Sequence, residues 1–137
     1  ASDEEVEQVA RLIQAHDFIS RMEKGYDTEV GEGGDRLSTG QKQLISFARA
    51  MLCDPAIVIL DEATSSIDTE SEKAIQYAMD QLLHGRTSFV VAHRLSTIVS
   101  ADIIVVLQHG VIIEQGTHET LLKAKGAYAD LYYSQFA

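Results

Sequence analysis

Apolar residues recur along this chain in two rhythms, one helical and one of short unbroken runs. Val6, Val9, Ala10 and Ile13 fall on one helical face, with acids loading the first turn where the macrodipole favours them, which predicts a helix over residues 4–15. His16 to Met22 reads as a short continuation, with His16 at the surface. Residues 23–37 are polar and carry Gly25, Gly31, Gly33 and Gly34, the pattern of a loop that can approach other groups closely. The strongest helix then opens at Ser38, which forms a capping box with Gln41. Leu44, Phe47, Ala48, Met51 and Leu52 follow at i, i+3, i+4, i+7 and i+8.

Beyond Pro55, the run Ile57-Val-Ile-Leu60 predicts a strand buried on both faces, the habit of parallel sheets, and it ends in Asp61 and Glu62. Thr69-x-x-Glu72 reads as a second capping box. Ile75, Ala78, Met79 and Leu82 form the inner face of its helix, which His84 and Gly85 end. Thr87 to Ala92 is a second buried strand, with His93 at its carboxyl end. Ala101 to Leu107 is a third, and Gln108-His-Gly110 turns into a hairpin partner over Val111 to Glu114. Thr117 caps a last helical region reaching Phe136, with Tyr128, Leu131 and Tyr132 as packing residues. Alternating strands and helices imply an α/β fold, a parallel sheet with right-handed crossovers. That places Asp61, Glu62 and His93 on one sheet edge, where ligands of such folds bind.

Composition narrows the function. The chain has 137 residues, 45% of them hydrophobic, with one proline, enough for a real core. A formal net charge of −10 with scattered Lys and Arg argues against nucleic acid as a partner, and no polybasic stretch faces anionic lipid. Apolar runs of about five residues fall far short of the roughly 20 that span a bilayer, so a soluble polypeptide is expected. The acidic opening without Met predicts a segment that begins inside a longer product. Cys53, the lone cysteine, reads as a small buried hydrophobe at a helix end.

Locally, each motif has a plain reading. An acidic pair after a strand is usually a solvated turn, and most Ser-x-x-Gln starts only cap their helix. The first amides of that helix, a hydroxyl and Gly40 could equally hold an anion, because unsatisfied N–H groups and the dipole favour phosphate.

Taken together, Leu37-Ser-Thr-Gly-Gln41, Ile57-Val-Ile-Leu-Asp-Glu62, Ser66-Ile-Asp68 and His93 resemble the nucleotide-binding domain of an ATP-binding cassette (ABC) transporter. Thr28-Glu-Val-Gly-Glu32, Ala63-Thr-Ser-Ser-Ile-Asp68 and Ala92-His-Arg-Leu-Ser-Thr97 are similar to the exporter branch. The resemblance covers essentially all 137 residues. It implies a partial P-loop NTPase-like sheet flanked by helices, with helical subdomain and signature helix over about 1–53 and the core half over about 54–137. It also implies roles. Asp61 is the Walker B carboxylate holding Mg²⁺ through water, Glu62 the catalytic carboxylate, and His93 the switch histidine at the γ-phosphate. Ser38, Gly40 and Gln41 contact ATP held by an opposite subunit, and Asp68 sits in the D-loop. Implied partners are a second nucleotide-binding domain and transmembrane domains, and the implied place is the cytoplasmic face of a membrane.

Two departures stand out. Thr39 occupies the third signature position, leaving one glycine, Gly40. The phosphate cradle G-x-x-x-x-G-K-S/T does not occur in the sequence; the family places it upstream of such a signature. The expected function is therefore the later part of an ABC exporter ATPase domain, inactive by itself. The alternative is a non-catalytic interaction or regulatory module derived from such a cassette.

Overall fold

The computed structural model describes residues 1–61, 69–91 and 95–135, without the side chains of 69–71, 95, 96 and 135. Among these, the elements in order are α1 (Asp3–Leu12), α2 (His16–Ser20), α3 (Thr39–Leu52), β1 (Ile57–Asp61), α4 (Thr69–Leu83), β2 (Thr87–Val91), α5 (Leu95–Val99), β3 (Ile104–Gln108), β4 (Val111–Gly116), α6 (His118–Ala124) and α7 (Ala127–Gln135). Short 3₁₀ turns at Gly25–Asp27 and Glu32–Gly34 punctuate the glycine-rich loop. The α/β fold with helices flanking a parallel sheet is the one expected.

The chain divides into two compact units, one from residues 1–60 and 69–89, the other from Asp61, Val90, Val91 and 95–135 of the described residues. In the first, α1 packs on α3 and α3 on α4. The shared core is Ala10, Ile13, Ala15, Leu44, Phe47, Val58, Ile75, Ala78, Met79 and Leu82. Ile13, Ile75 and Leu82 are wholly enclosed, each contributing about 1.5–3 kcal/mol of hydrophobic stabilisation.

Helix α1 is shorter than its apolar rhythm. Ser2 caps it through a reciprocal box with Glu5, and it stops at Leu12 because Gln14 turns left-handed at φ 61°. The Gln14 N–H donates to the Arg11 carbonyl and the Ala15 N–H to that of Ala10, at 3.1 and 2.7 Å. These two bonds make a Schellman ending, closed by the buried Ala10 and Ala15. His16 is half-buried, not simply a surface residue: Nδ1 meets the Tyr26 hydroxyl at 2.9 Å and Nε2 the Ser20 hydroxyl at 3.2 Å.

Strands β1 and β2 are hydrogen-bonded neighbours. The expectation that β1 is buried on both faces is corrected in this chain. Val58 and Leu60 turn toward the helices, whereas Ile57 and Ile59 are 59% and 77% exposed. Period-two geometry puts those two on the opposite face, which no described element of the unit covers. Cys53 is also corrected: it is exposed at the end of α3. Arg86, after α4, donates to the Asp54 carboxylate at 2.9 Å and to the Leu82 carbonyl at 2.8 Å, tying the ends of α3 and α4 together.

In the second unit β3 pairs antiparallel with β4, Ile104 opposite Gly116 and Gln108 opposite Val111, with an irregularity between Val106 and Leu107. The predicted third strand therefore forms a separate hairpin and does not join β1 and β2 among the described residues. His109 and Gly110 take φ of 51° and 78°, as a two-residue primed turn requires. Ile104, Leu121 and Tyr128 form the core here. The last helical region is two helices: Thr117 caps α6, and Lys125 ends it in the left-handed region at φ 54°. The Glu114 carboxylate accepts the Ala127 and Tyr128 N–H groups at 3.1 and 2.8 Å, capping α7 from the neighbouring strand. Leu131 is exposed, so of the three expected packing residues only Tyr128 and Tyr132 join the core.

Candidate phosphate site at the start of the third helix

The described part of the candidate site is the first turn of α3. Ser38 adopts extended geometry as N-cap, its Oγ accepting the Gln41 N–H at 3.2 Å while Gln41 Oε1 accepts the Ser38 N–H at 3.0 Å. Ser38, Gly40 and Gln41 are thus brought together on one turn as expected. The box leaves two resources unspent. The Ser38 O–H proton can still be donated, since the hydroxyl serves Gln41 only as acceptor. The amides of Thr39 and Gly40, in the first two helical positions, have no acceptor within the helix. Capping and anion binding are therefore compatible on this turn, and the dipole of a 14-residue helix adds positive potential at the same point.

The loop before it braces the turn. Gly31, Gly33 and Gly34 have φ of 78°, 64° and 72°, values that L side chains rarely adopt. The Leu37 N–H donates to the Gly34 carbonyl at 2.9 Å, and the Arg36 guanidinium to the Glu29 carbonyl at 3.3 Å. Arg36 is a positioning cation that the spacing of motifs did not single out. A strand-like or helical rhythm is absent around it, and only the folded loop shows what it holds. Gln43, further along α3, has a buried Oε1 that meets no donor among the described residues.

Asp61 is the last residue of β1 and is exposed. Glu62, Asp68 and His93, the other expected site residues, lie outside the described residues. Among the described residues no group of three or more His, Cys, Asp or Glu is arranged to hold a metal. Asp61 is a hard oxygen donor suited to Mg²⁺ that keeps most of its waters, so what is described fits that ion only as one ligand among waters and phosphate oxygens. No described helix is long and apolar enough to cross a membrane.

Comparison with known proteins points one way. The family model described as "ABC transporter" matches residues 2–65. The chain is 57% identical over 136 residues to an uncharacterised ABC transporter ATP-binding protein, YfiC, of Bacillus subtilis (strain 168), covering 99% of this chain and 22% of that protein. It is likewise 57% identical over 135 residues to the ATP-dependent lipid A-core flippase of Escherichia coli (strain K12), covering 98% of this chain and 23% of the flippase. A bacterial Atm1-family ABC exporter solved with ATP bound superposes with a TM-score of 0.86 at 44% identity, over 100% of this chain and 24% of that one. The chain thus spans about a quarter of the length of the relatives it matches.

Proposed function

Because the chain belongs to the ABC transporter family, as part of an exporter-type nucleotide-binding domain, we propose that it supplies signature, Walker B, D-loop and switch residues to an ATP hydrolysis site that drives export. The observation that carries this reading is the first turn of α3. There a hydroxyl and two free amides converge beside Gly40, within a chain 57% identical to an ATP-dependent flippase.

Bound MgATP would supply the phosphoryl group and the dication that neutralises its developing charge. Ser38, with the amides of Thr39 and Gly40, binds γ-phosphate oxygens presented by an opposite subunit, while Gln41 holds the Ser38 backbone in place. Asp61 would hold Mg²⁺ through water. Glu62 polarises the attacking water, and His93 donates to the γ-phosphate and holds that water in line. Asp68 positions the contact between subunits. Such a set acts through positioning and fixed charge, and that is the main demand of phosphoryl transfer. The 137 residues alone lack a G-x-x-x-x-G-K-S/T loop, the main source of β- and γ-phosphate affinity, so by themselves they neither bind ATP tightly nor hydrolyse it. The parent acts at the cytoplasmic face of a membrane, paired with a second cassette and with transmembrane domains.

The test is a graft. The 137 residues replace the matching stretch of an active relative, and ATP turnover is measured. Turnover within about tenfold of the relative is expected, and a fall of more than about a hundredfold on Glu62→Gln with ATP binding retained. A graft that binds ATP and transmembrane domains but never hydrolyses would refute the reading in favour of a non-catalytic module.

A further inference from the structure

Two helix-to-strand connections of the first unit are bridged by one guanidinium. Residues 53–56 lead from α3 to β1, and residues 84–86 lead from α4 to β2. Arg86 Nη1 donates at 2.8 Å to the Leu82 carbonyl, one of those that the end of α4 leaves without a helical partner, and Leu82 itself is wholly enclosed. Arg86 Nη2 donates to the Asp54 carboxylate at 2.9 Å, 32 positions away in sequence. One arm of the fork is thus anchored on the core and the other holds the connection between α3 and β1.

Stability does not account for Asp54. Its backbone is left-handed at φ 42°, a conformation that glycine adopts freely, and its side chain is 86% exposed, so the ion pair adds little. What aspartate supplies there and glycine would not is the hold on Arg86. The place of that hold has leverage: α3 opens just after Ser38, β1 ends at Asp61, and Asp54 lies on the stretch that joins them. In a helix of 14 residues, a tilt of about 5° at one end displaces the other by roughly 2 Å. Shifts of about 1 Å far from the reacting atoms can cost a hundredfold in rate.

We propose that Arg86 and Asp54 are positioning residues for ATP turnover: their pair fixes the angle at which α3 meets β1 and so sets where the Ser38 turn is presented. The inference rests on the function proposed above, which gives Ser38 its role. Neither residue touches nucleotide; both act through the backbone that they hold.

The test uses the graft in an active relative. Asp54→Gly removes the carboxylate but relaxes the backbone, so the thermal midpoint should not fall. Its kcat should nevertheless drop at least about tenfold with KM for ATP within about twofold, because only the transition state loses its alignment. Asp54→Asn keeps an acceptor and suits the left-handed region, so it should turn over within about threefold of the unsubstituted graft. Arg86→Gln should match the kcat of Asp54→Gly, and the double variant should fall no further. A glycine variant that turns over at the parental rate overturns the proposal, as do losses that add in the double variant or an asparagine variant as slow as the glycine one. A graft that never hydrolyses ATP counts against the proposed function instead. Amide hydrogen exchange then reads the clamp: exchange at the end of α3 and in β1 should quicken in Asp54→Gly, and unchanged exchange overturns it.

Discussion

Removing Glu114 tests how the second unit holds its last helix. Its carboxylate accepts the first two amides of α7, at 3.1 and 2.8 Å, and Gly126 sits so close that a Cβ there would collide with the same carboxylate. Glu114→Ala strips two charge-assisted hydrogen bonds from a half-buried site and leaves the amides to water, a loss of about 2 kcal/mol. Gly126→Ala should cost about the same by a different route, since the new methyl evicts the carboxylate and with it both bonds. The double variant then loses little beyond either single, because the three atoms nearest such a methyl all belong to Glu114. The cycle should show a coupling of about 2 kcal/mol. Urea denaturation followed by tyrosine fluorescence reads it directly: there is no tryptophan, and Tyr128, Tyr132 and Tyr133 all lie on α7. Each single variant should melt roughly 4–8 °C lower. Strictly additive losses would refute the shared mechanism and assign the cost of Gly126→Ala to its own backbone.

Leu82→Ala empties a fully enclosed site between the helices of the first unit and should cost about 2–5 kcal/mol in chemical denaturation. Ser38→Ala removes the cap of α3 for about 1 kcal/mol, and in the graft it should also depress turnover well beyond that loss of stability, whereas Ser38→Thr should restore both. Burial raises the Tyr128 phenol above its ordinary 10.0, so the folded state keeps the proton that the unfolded chain releases. Its stabilisation is full below pH 10 and fades as pH climbs through the raised value; absorbance titration should show Tyr128→Phe removing one of the late-ionising phenols.

The inner faces of the helices were legible in the sequence because burial of a 3.6-residue rhythm needs only local spacing. Leu44, Phe47, Ile75, Ala78, Met79 and Leu82 all reach the core as expected. So was the Ser38–Gln41 box, whose two bonds join residues three apart. Endings were harder to read. Gln14 and Lys125 stop helices in a left-handed conformation that glycine usually marks, so the spacing runs on past Leu12 and across Lys125. That β3 pairs only with β4 among the described residues depends on the whole fold, because an apolar run looks the same in a parallel sheet and in a hairpin. Glu114 as the cap of α7 lies 13 residues from its first amide, beyond any local motif.

The exposed Cys53 gives this chain a built-in handle. It is the only cysteine, so a maleimide dye would attach at one place. It stands just past the far end of a 14-residue helix that opens at Ser38, roughly 21 Å from the first turn at 1.5 Å per residue. A fluorophore there would be clear of incoming phosphate yet within energy-transfer range of a labelled nucleotide. In a graft whose host stretch carries no cysteine, occupancy of the proposed phosphate turn could then be followed optically.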